Sequence, residues 1–191
     1  MLQELMSGSG RLSLSCYMAG QMVGCPIDYR YEWNLQRPEH QHLIDNIKST
    51  VDFAAPNCGP WSCLSGFHPE DTKGHTRLSE QSTLKWLAKR TIQRHHRHGT
   101  ATILENPKNS SIFAKSPLSQ LVENPLVNLL HLDQCMHGAC SYDDETQTTA
   151  PARKSTSFYA STQGCRQQSK YARALRLMRS TLTYLVGNQA T

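Results

Sequence analysis

Short apolar runs alternate along the chain with segments in which apolar residues recur three and four positions apart. The runs are short, aliphatic and bounded by polar residues or glycine, which predicts strands. These strands are residues 2–6, 21–27, 51–55, 101–104 and 126–132, with a possible sixth at 157–160. The helical spacing predicts helices at 11–19, 38–48, 79–98 and 166–186, and a broken helical region at 110–124. Strands that alternate with helices predict an α/β fold with a mostly parallel sheet and helices on both faces.

Two segments show neither the strand pattern nor the helical pattern and are predicted to be loops. Residues 56–78 are rich in Pro, Gly, His and Ser, and residues 138–155 are polar. Loops of this length are often functional or mobile. Ser79 is expected to cap the helix that follows, and Gly99 to end it.

Polar residues follow the predicted strands at their carboxyl ends, where open α/β sheets bind ligands. Ser7-Gly8-Ser9-Gly10 lies between the first strand and the first helix, where glycine allows a ligand to approach the backbone and its N–H groups. Asp28 ends the second strand about 18 residues beyond Gly10, roughly where nucleotide-binding folds place an acid on ribose hydroxyls. A simple glycine turn and a surface aspartate remain the alternative.

Two further strand ends carry a thiol and a carboxylate. Cys58 follows Pro56 and Asn57, and a cysteine with thiolate character is a nucleophile. Glu105 ends an apolar strand, where desolvation would raise its pKa and make it a proton donor near neutrality. The pair predicts an enzyme site; the alternatives are a structural thiol and a capping carboxylate.

Taken in order, these motifs resemble the DNA (cytosine-5) methyltransferase family over about residues 2–135. The segment from Glu4 to Gly10 resembles its first, cofactor-binding motif, and Pro26-Ile27-Asp28 resembles the second. Trp33-Asn34 falls where the adenine contact of the third motif would lie. The segment from Ala55 to Ser62 resembles the loop of the catalytic cysteine, and Glu105-Asn106-Pro107 the motif that engages the cytosine ring.

The resemblance implies a Rossmann-like methyltransferase fold, S-adenosylmethionine as cofactor and a nucleic acid as substrate, DNA rather than RNA. Cys58 would attack carbon 6 of a flipped-out cytosine, Glu105 would hydrogen-bond or protonate the ring, and carbon 5 would accept the methyl group. The implied cofactor-binding residues are Ser7, Gly8, Ser9, Gly10, Asp28, Asn34 and Pro56.

The chain departs from the family at three places. Asn57 stands where the family has proline, and Gln134 is the nearest remnant of a missing Gln-x-Arg-x-Arg motif. The roughly 55 residues after Cys135 leave no room for a target-recognition domain. We therefore expect a compact enzyme; the alternative is a catalytically inactive, methyltransferase-like domain that binds nucleic acid.

Composition sets the remaining expectations. A chain of 191 residues, 38% hydrophobic and 18% charged, suits a globular protein. With the resemblance, we expect a methyltransferase-like domain over 1–165 and a basic C-terminal helix over 166–191, packed on it or extending from it. Seven cysteines without a signal peptide favour free thiols and an intracellular protein. No apolar run approaches the roughly 20 residues that span a bilayer, so no membrane is expected.

Charge and cysteine spacing refine the expected partners. The net charge of +5, with Arg173, Arg176 and Arg179 on one helical stripe, permits contact with a polyanion. The four-residue gaps between Cys58 and Cys63, and between Cys135 and Cys140, are wider than the common zinc knuckle. We therefore expect no metal.

Overall fold

The computed structural model describes residues 1–62, 70–133, 140–143, 147–151 and 155–161, which form an α/β protein with an open, mixed five-stranded sheet. The strands are β1 (Leu2–Leu5), β2 (Val51–Ala54), β3 (Ala101–Pro107), β4 (Val127–Asp133), β5 (Cys140–Asp143), β6 (Thr148–Pro151) and β7 (Ser155–Ser161). The helices are α1 (Arg11–Met18), α2 (Pro38–Asp45), α3 (Glu70–His98), α4 (Ile112–Lys115) and α5 (Ser119–Val122). Tyr29–Tyr31 and Gly59–Trp61 form single 3₁₀ turns.

The main sheet has the strand order β1-β2-β3-β7-β4. The first three strands are parallel neighbours, and their register places Leu5, Ala54 and Leu104 side by side. Their carboxyl ends therefore meet at one edge of the sheet. The prediction of a mostly parallel sheet is wrong for β7, which runs antiparallel to both β3 and β4. The chain leaves along β4 and returns along β7 between β3 and β4, so the sheet is mixed.

The main core covers one face of the sheet. Successive strand residues point to opposite faces, and Leu5, Ala54 and Leu104 belong to a buried cluster with residues of every helix from α2 to α5. The members from those helices are Ile44, Leu84, Trp86, Leu87, Ala88, Ile112, Phe113 and Leu121. A smaller cluster, built around Ile103 and Phe158, lies on the opposite face.

A buried ion network attaches α3 to the start of β2. The carboxylate of Asp52, 1% exposed, lies 3.1 Å from Nη2 of Arg90 and 3.4 Å from Nε of Arg94. Arg90 also contacts Asp45 at the end of α2 at 2.6 Å, and Ser49 contacts Asp52. Burial lowers the pKa of Arg94, and the charge of Asp52 opposes that shift. The network therefore connects α2, α3 and β2 beneath the sheet.

The structure corrects one predicted strand and the start of one predicted helix. Residues 21–27 form no strand of the sheet: they make isolated parallel bridges from Val23 to Leu2 and from Ile27 to Leu5. The helix predicted to begin at Ser79 begins at Glu70, so part of the predicted 56–78 loop is helical. Ser79 lies inside α3, where its hydroxyl donates to the carbonyl of Thr76.

The predicted loop over 138–155 contains a hairpin instead. β5 and β6 pair antiparallel as a separate two-stranded sheet. β5 (Cys-Ser-Tyr-Asp) alternates apolar and polar residues over only four positions, and β6 (Thr-Thr-Ala-Pro) does not alternate, which explains why periodicity did not reveal the pair. The predicted C-terminal helix lies outside the described residues. Within the described part of the chain, no helix is long and apolar enough to cross a membrane.

Candidate functional site

A cleft of about 370 Å³ opens at the carboxyl edge of β1 and β2. Residues that follow these two strands form part of its wall, and α3 forms another part. The described residues that line it are Met6, Gly8, Asp28, Tyr29, Trp33, Asn34, Leu35, Gln36, Ala55, Pro56, Asn57, Glu80, Thr83 and Leu84. Its volume lies at the lower end of the range for small-molecule sites.

The turn after β1 has an unusual backbone. Met6, Gly8 and Gly10 have φ values of 54°, 56° and 66°, in the left-handed region that glycine adopts without cost. A side chain at Gly10 would come within 3.2 Å of the Tyr31 hydroxyl, whereas one at Gly8 would meet no atom within 4 Å. Gly10 is thus needed for packing, and Gly8 leaves the backbone open to the cleft.

Asp28 connects this turn to the segment that follows residues 21–27. One carboxylate oxygen accepts from the backbone N–H of Gly8 at 2.8 Å, and the other from that of Arg30 at 3.1 Å. A carboxylate offers about four lone-pair positions, so both oxygens retain capacity to accept from a ligand. Asp28 therefore shapes the cleft as well as lining it.

The side chain of Glu4, in β1, lies at the N-terminus of α1, on the face of the sheet opposite to Leu5 and the main core. Its carboxylate accepts from the backbone N–H of Ser13 at 2.8 Å and from its hydroxyl at 2.6 Å. Burial raises the pKa of Glu4, and the two hydrogen bonds from Ser13 partly oppose the shift. Because a protein carboxylate already holds this helix end, a ligand in the cleft would contact the turn at Gly8.

Trp33 and Asn34 form another part of the cleft wall. The Asn34 side chain accepts from the backbone N–H of Gln36 at 2.9 Å, and its own backbone N–H donates to Nδ1 of His40 at 3.0 Å. The rings of Trp33 and His40 meet edge to face at 5.6 Å. These contacts fix an aromatic ring and an amide at the cleft.

Cys58 lies just beyond the cleft, at the start of the Gly59–Trp61 turn. Its thiol is free and half-buried. The preceding residue, Asn57, accepts from the backbone N–H of Gly59 at 3.0 Å, and the N–H of Trp61 donates to the Cys58 carbonyl at 3.0 Å. The Trp61 carbonyl accepts from both the backbone N–H and the hydroxyl of Ser111. The cysteine is therefore held on a short turn bonded at several points.

Glu105 is half-buried near the end of β3, opposite Phe158 of β7. The next residue, Asn106, is fully buried and donates from Nδ2 to the carbonyl of Pro56 at 2.8 Å. Since Leu104 pairs with Ala54, the segments that carry Cys58 and Glu105 leave the sheet side by side. The backbone segments that carry Cys58 and Glu105 therefore lie at the same edge of the sheet.

The predicted cofactor residues divide into two groups. Gly8, Asp28, Asn34 and Pro56 line the cleft. Ser7, Ser9 and Gly10 belong to the same turn but are not part of its wall: Ser9 is exposed and Gly10 is buried. The Ser7 hydroxyl is buried without a hydrogen-bond partner among the described residues.

Sequence reasoning missed the contribution of α3. Three residues of this helix line the cleft: Glu80, Thr83 and Leu84. Glu80 also accepts hydrogen bonds from Asn57 and Trp61, at the two ends of the segment 57–61, which is called the Cys58 loop below. All three residues fall inside the helix predicted over 79–98. The sequence does not show which loop or cleft that helix faces, so the contribution of Glu80 and Thr83 left no signal.

The cleft is acidic and aromatic. Asp28 and Glu80 contribute carboxylates, Tyr29 and Trp33 contribute rings, and none of the described lining residues is Lys or Arg. The described residues also contain no group of three or more His, Cys, Asp or Glu side chains that could hold a metal ion. Searches with protein-family models and against curated proteins gave no match to this chain.

Proposed function

We propose that this protein is an S-adenosylmethionine-dependent methyltransferase with a Rossmann-like fold that methylates carbon 5 of cytosine in nucleic acid through Cys58. One observation carries the proposal. The cleft that Gly8 and Asp28 line continues to Pro56 and Asn57, so its wall ends at the residue next to Cys58. A ligand in the cleft would thus lie beside the candidate nucleophile.

The chemistry of the cleft fits this cofactor better than a phosphorylated one. Two carboxylates and two aromatic rings attract a cation, and the lining residues that the structure describes include no Lys or Arg to pair with a phosphate. S-adenosylmethionine carries an ammonium, a sulfonium and a ribose, and it supplies the methyl group. Gly8, Asp28, Asn34 and Pro56 would hold it.

The chain's own residues account for the remaining steps. The Cys58 thiolate adds to carbon 6 of an extruded cytosine, forming a carbon–sulfur bond and moving electron density to carbon 5. Glu105 hydrogen-bonds to the ring nitrogen and supplies a proton there, which favours the addition. After carbon 5 is methylated, its proton leaves to solvent water, and the ring nitrogen returns its proton to the Glu105 carboxylate. The carbon–sulfur bond then breaks, its electron pair stays on sulfur, and the Cys58 thiolate is released.

A mechanism-based trap tests the covalent step. A DNA oligonucleotide with 5-fluorocytosine has no proton to lose at carbon 5, so an adduct that forms and accepts the methyl group persists on a denaturing gel. We expect a shifted band with the wild-type chain and S-adenosylmethionine, none with Cys58→Ala, and an unchanged band with Cys25→Ala, which removes an exposed thiol. The RNA form of the oligonucleotide distinguishes the two substrates.

Two outcomes would contradict the proposal. A folded wild-type chain that does not bind S-adenosylmethionine by calorimetry has no such cofactor site. Salt-sensitive nucleic-acid binding without an adduct or transfer would favour the inactive, binding-only alternative.

A further inference from the structure

The carboxylate of Glu80 lies between the cleft and the Cys58 loop. Oε1 accepts from Nδ2 of Asn57 at 3.0 Å, and Oε2 accepts from Nε1 of Trp61 at 3.1 Å. The two donors flank Cys58 along the chain. Glu80 also lines the cleft, so one side chain contacts both parts of the candidate site.

Asn57 needs both ends of its amide for this arrangement. While Nδ2 donates to Glu80, Oδ1 accepts from the N–H of Gly59 and closes a turn around Cys58. Proline, which the resemblance leads one to expect at this position, has a fixed φ but no group that can make either bond. The amide and Glu80 together provide the constraint that a proline ring would otherwise supply.

Arg77, about one helical turn before Glu80, also contacts the Cys58 loop. Arg77 donates from Nε to the Pro60 carbonyl at 2.8 Å and stacks over the Trp61 ring at 5.5 Å. Trp61 is 2% exposed, so the loop is anchored in the core at its far end. Glu80 restrains the other, exposed end at Asn57.

We infer that Glu80 is a positioning residue, which holds the Cys58 turn against the wall of the cleft through Asn57 and Trp61. The inference rests on the proposed function in treating Cys58 as the reacting thiol. It adds a residue that no family motif contains and links the cofactor cleft to the nucleophile. This link consists of the two carboxylate oxygens of Glu80, which accept from the side-chain N–H groups of Asn57 and Trp61.

The donor–acceptor pattern can be broken and then restored. Glu80→Gln places an amide N–H against one of the two donors, and Asn57→Asp places a carboxylate against the Glu80 carboxylate. The double variant recovers both bonds: the introduced amide donates to the introduced carboxylate and its oxygen accepts from Trp61. Glu80→Ala removes the contact outright.

The measurement is the alkylation rate of Cys58 by iodoacetamide, followed by site-resolved mass spectrometry over a pH series. At alkaline pH the thiol is fully ionised, so the limiting rate no longer depends on the fraction of thiolate and reports chiefly access to it. We expect the single variants to raise this rate about three- to tenfold, the range that corresponds to one hydrogen bond, and the double variant to return within about twofold of wild type. Exposed Cys25 is the internal control and should not change.

The outcomes separate positioning from general stability. Single variants that leave the rate within about twofold of wild type, or a double variant no better than the product of the singles, would overturn the inference. If Glu80→Ala also exposes buried Cys16, the fold has opened, and the comparison of Asn57→Asp with the double variant decides. Alkylation needs neither cofactor nor nucleic acid, so a failure of methyl transfer would leave this result intact.

Discussion

The side-chain amide of Asn106 donates a hydrogen bond of 2.8 Å to the backbone carbonyl of Pro56. Asn106 is fully buried, and its Oδ1 atom has no hydrogen-bond partner among the described residues. The bond joins the end of β3, which carries Glu105, to the loop that carries Cys58. The relative position of the segments that carry Glu105 and Cys58 therefore depends on Asn106.

Asn106→Ala should lower both stability and any methyl transfer. The change leaves the Pro56 carbonyl buried without its donor, which costs about 1–3 kcal/mol of unfolding free energy. Urea unfolding followed by circular dichroism measures the loss. Asn109→Ala, at an exposed asparagine three residues further on, should stay within about 0.5 kcal/mol of wild type. Equal losses in the two variants would contradict a specific role for the Asn106 bond.

Asp28→Ala should weaken S-adenosylmethionine binding roughly 10- to 100-fold, since it removes a carboxylate from the cleft and its two bonds to backbone N–H groups. Calorimetric titration gives the affinity. Glu32→Gln removes an exposed charge outside the cleft wall and should leave the affinity unchanged. A similar decrease in both variants would show that net charge, and not the cleft, governs binding.

Glu4 should make stability fall as the pH rises. Burial raises the pKa of its carboxyl in the folded chain above the ordinary value of 4.5. The folded state therefore holds this proton more tightly than the unfolded state, so the contribution of Glu4 is most favourable below pH 4.5 and declines as the pH rises through the raised pKa. Glu4→Gln keeps an oxygen that can accept from Ser13 and should remove this decline.

Thermal unfolding across that pH window checks the Glu4 prediction. Glu39→Gln, at an exposed position in α2, serves as the control and should keep the wild-type profile. A Glu4→Gln profile parallel to that of wild type would show that another group produces the pH dependence.

Asp52→Asn should destabilise the chain strongly, by about 3–5 kcal/mol, because it leaves two arginines buried without their main counter-ion. Asp45→Asn should cost less, since the Asp45 side chain is 46% exposed and water can replace it. Guanidinium unfolding of both variants compares them directly. A larger loss at Asp45 would contradict the assignment of Asp52 as the centre of the network.

The sequence predicted the elements whose periodicity is complete. The strand at Val51 and the helical face from Leu84 to Ile92 consist of apolar residues in regular register, so burial alone reveals them. The start of α3 up to Glu80 has Leu78 as its one large apolar residue, which is exposed, and Arg77 and Glu80 contact the Cys58 loop. Tertiary contacts of that kind leave no period in the sequence.

The candidate site divides in the same way. Gly8 and Cys58 come a few residues after β1 and β2, and Asp28 follows a segment bridged to β1, so their position in the chain indicates the edge of the sheet on which they lie. Glu80 reaches the site from a helix and Asn106 from the end of β3. Their roles depend on their partners in the fold, which are the side chains of Asn57 and Trp61 for Glu80 and the Pro56 carbonyl for Asn106. Only the three-dimensional arrangement identifies those partners.

The ion network and the Glu80 contacts together fix the number of residues between two points of α3. Arg90 meets β2 at Asp52, and Glu80 meets the loop at Asn57. Ten helical residues advance about 15 Å, and the five residues from Asp52 to Asn57, which begin in β2, span at most about 18 Å, so the two intervals are compatible. One residue inserted between Glu80 and Arg90 would displace one contact by about 1.5 Å and rotate it by roughly 100° around the helix. This stretch of α3 should therefore accept substitutions at its exposed positions but no change in length.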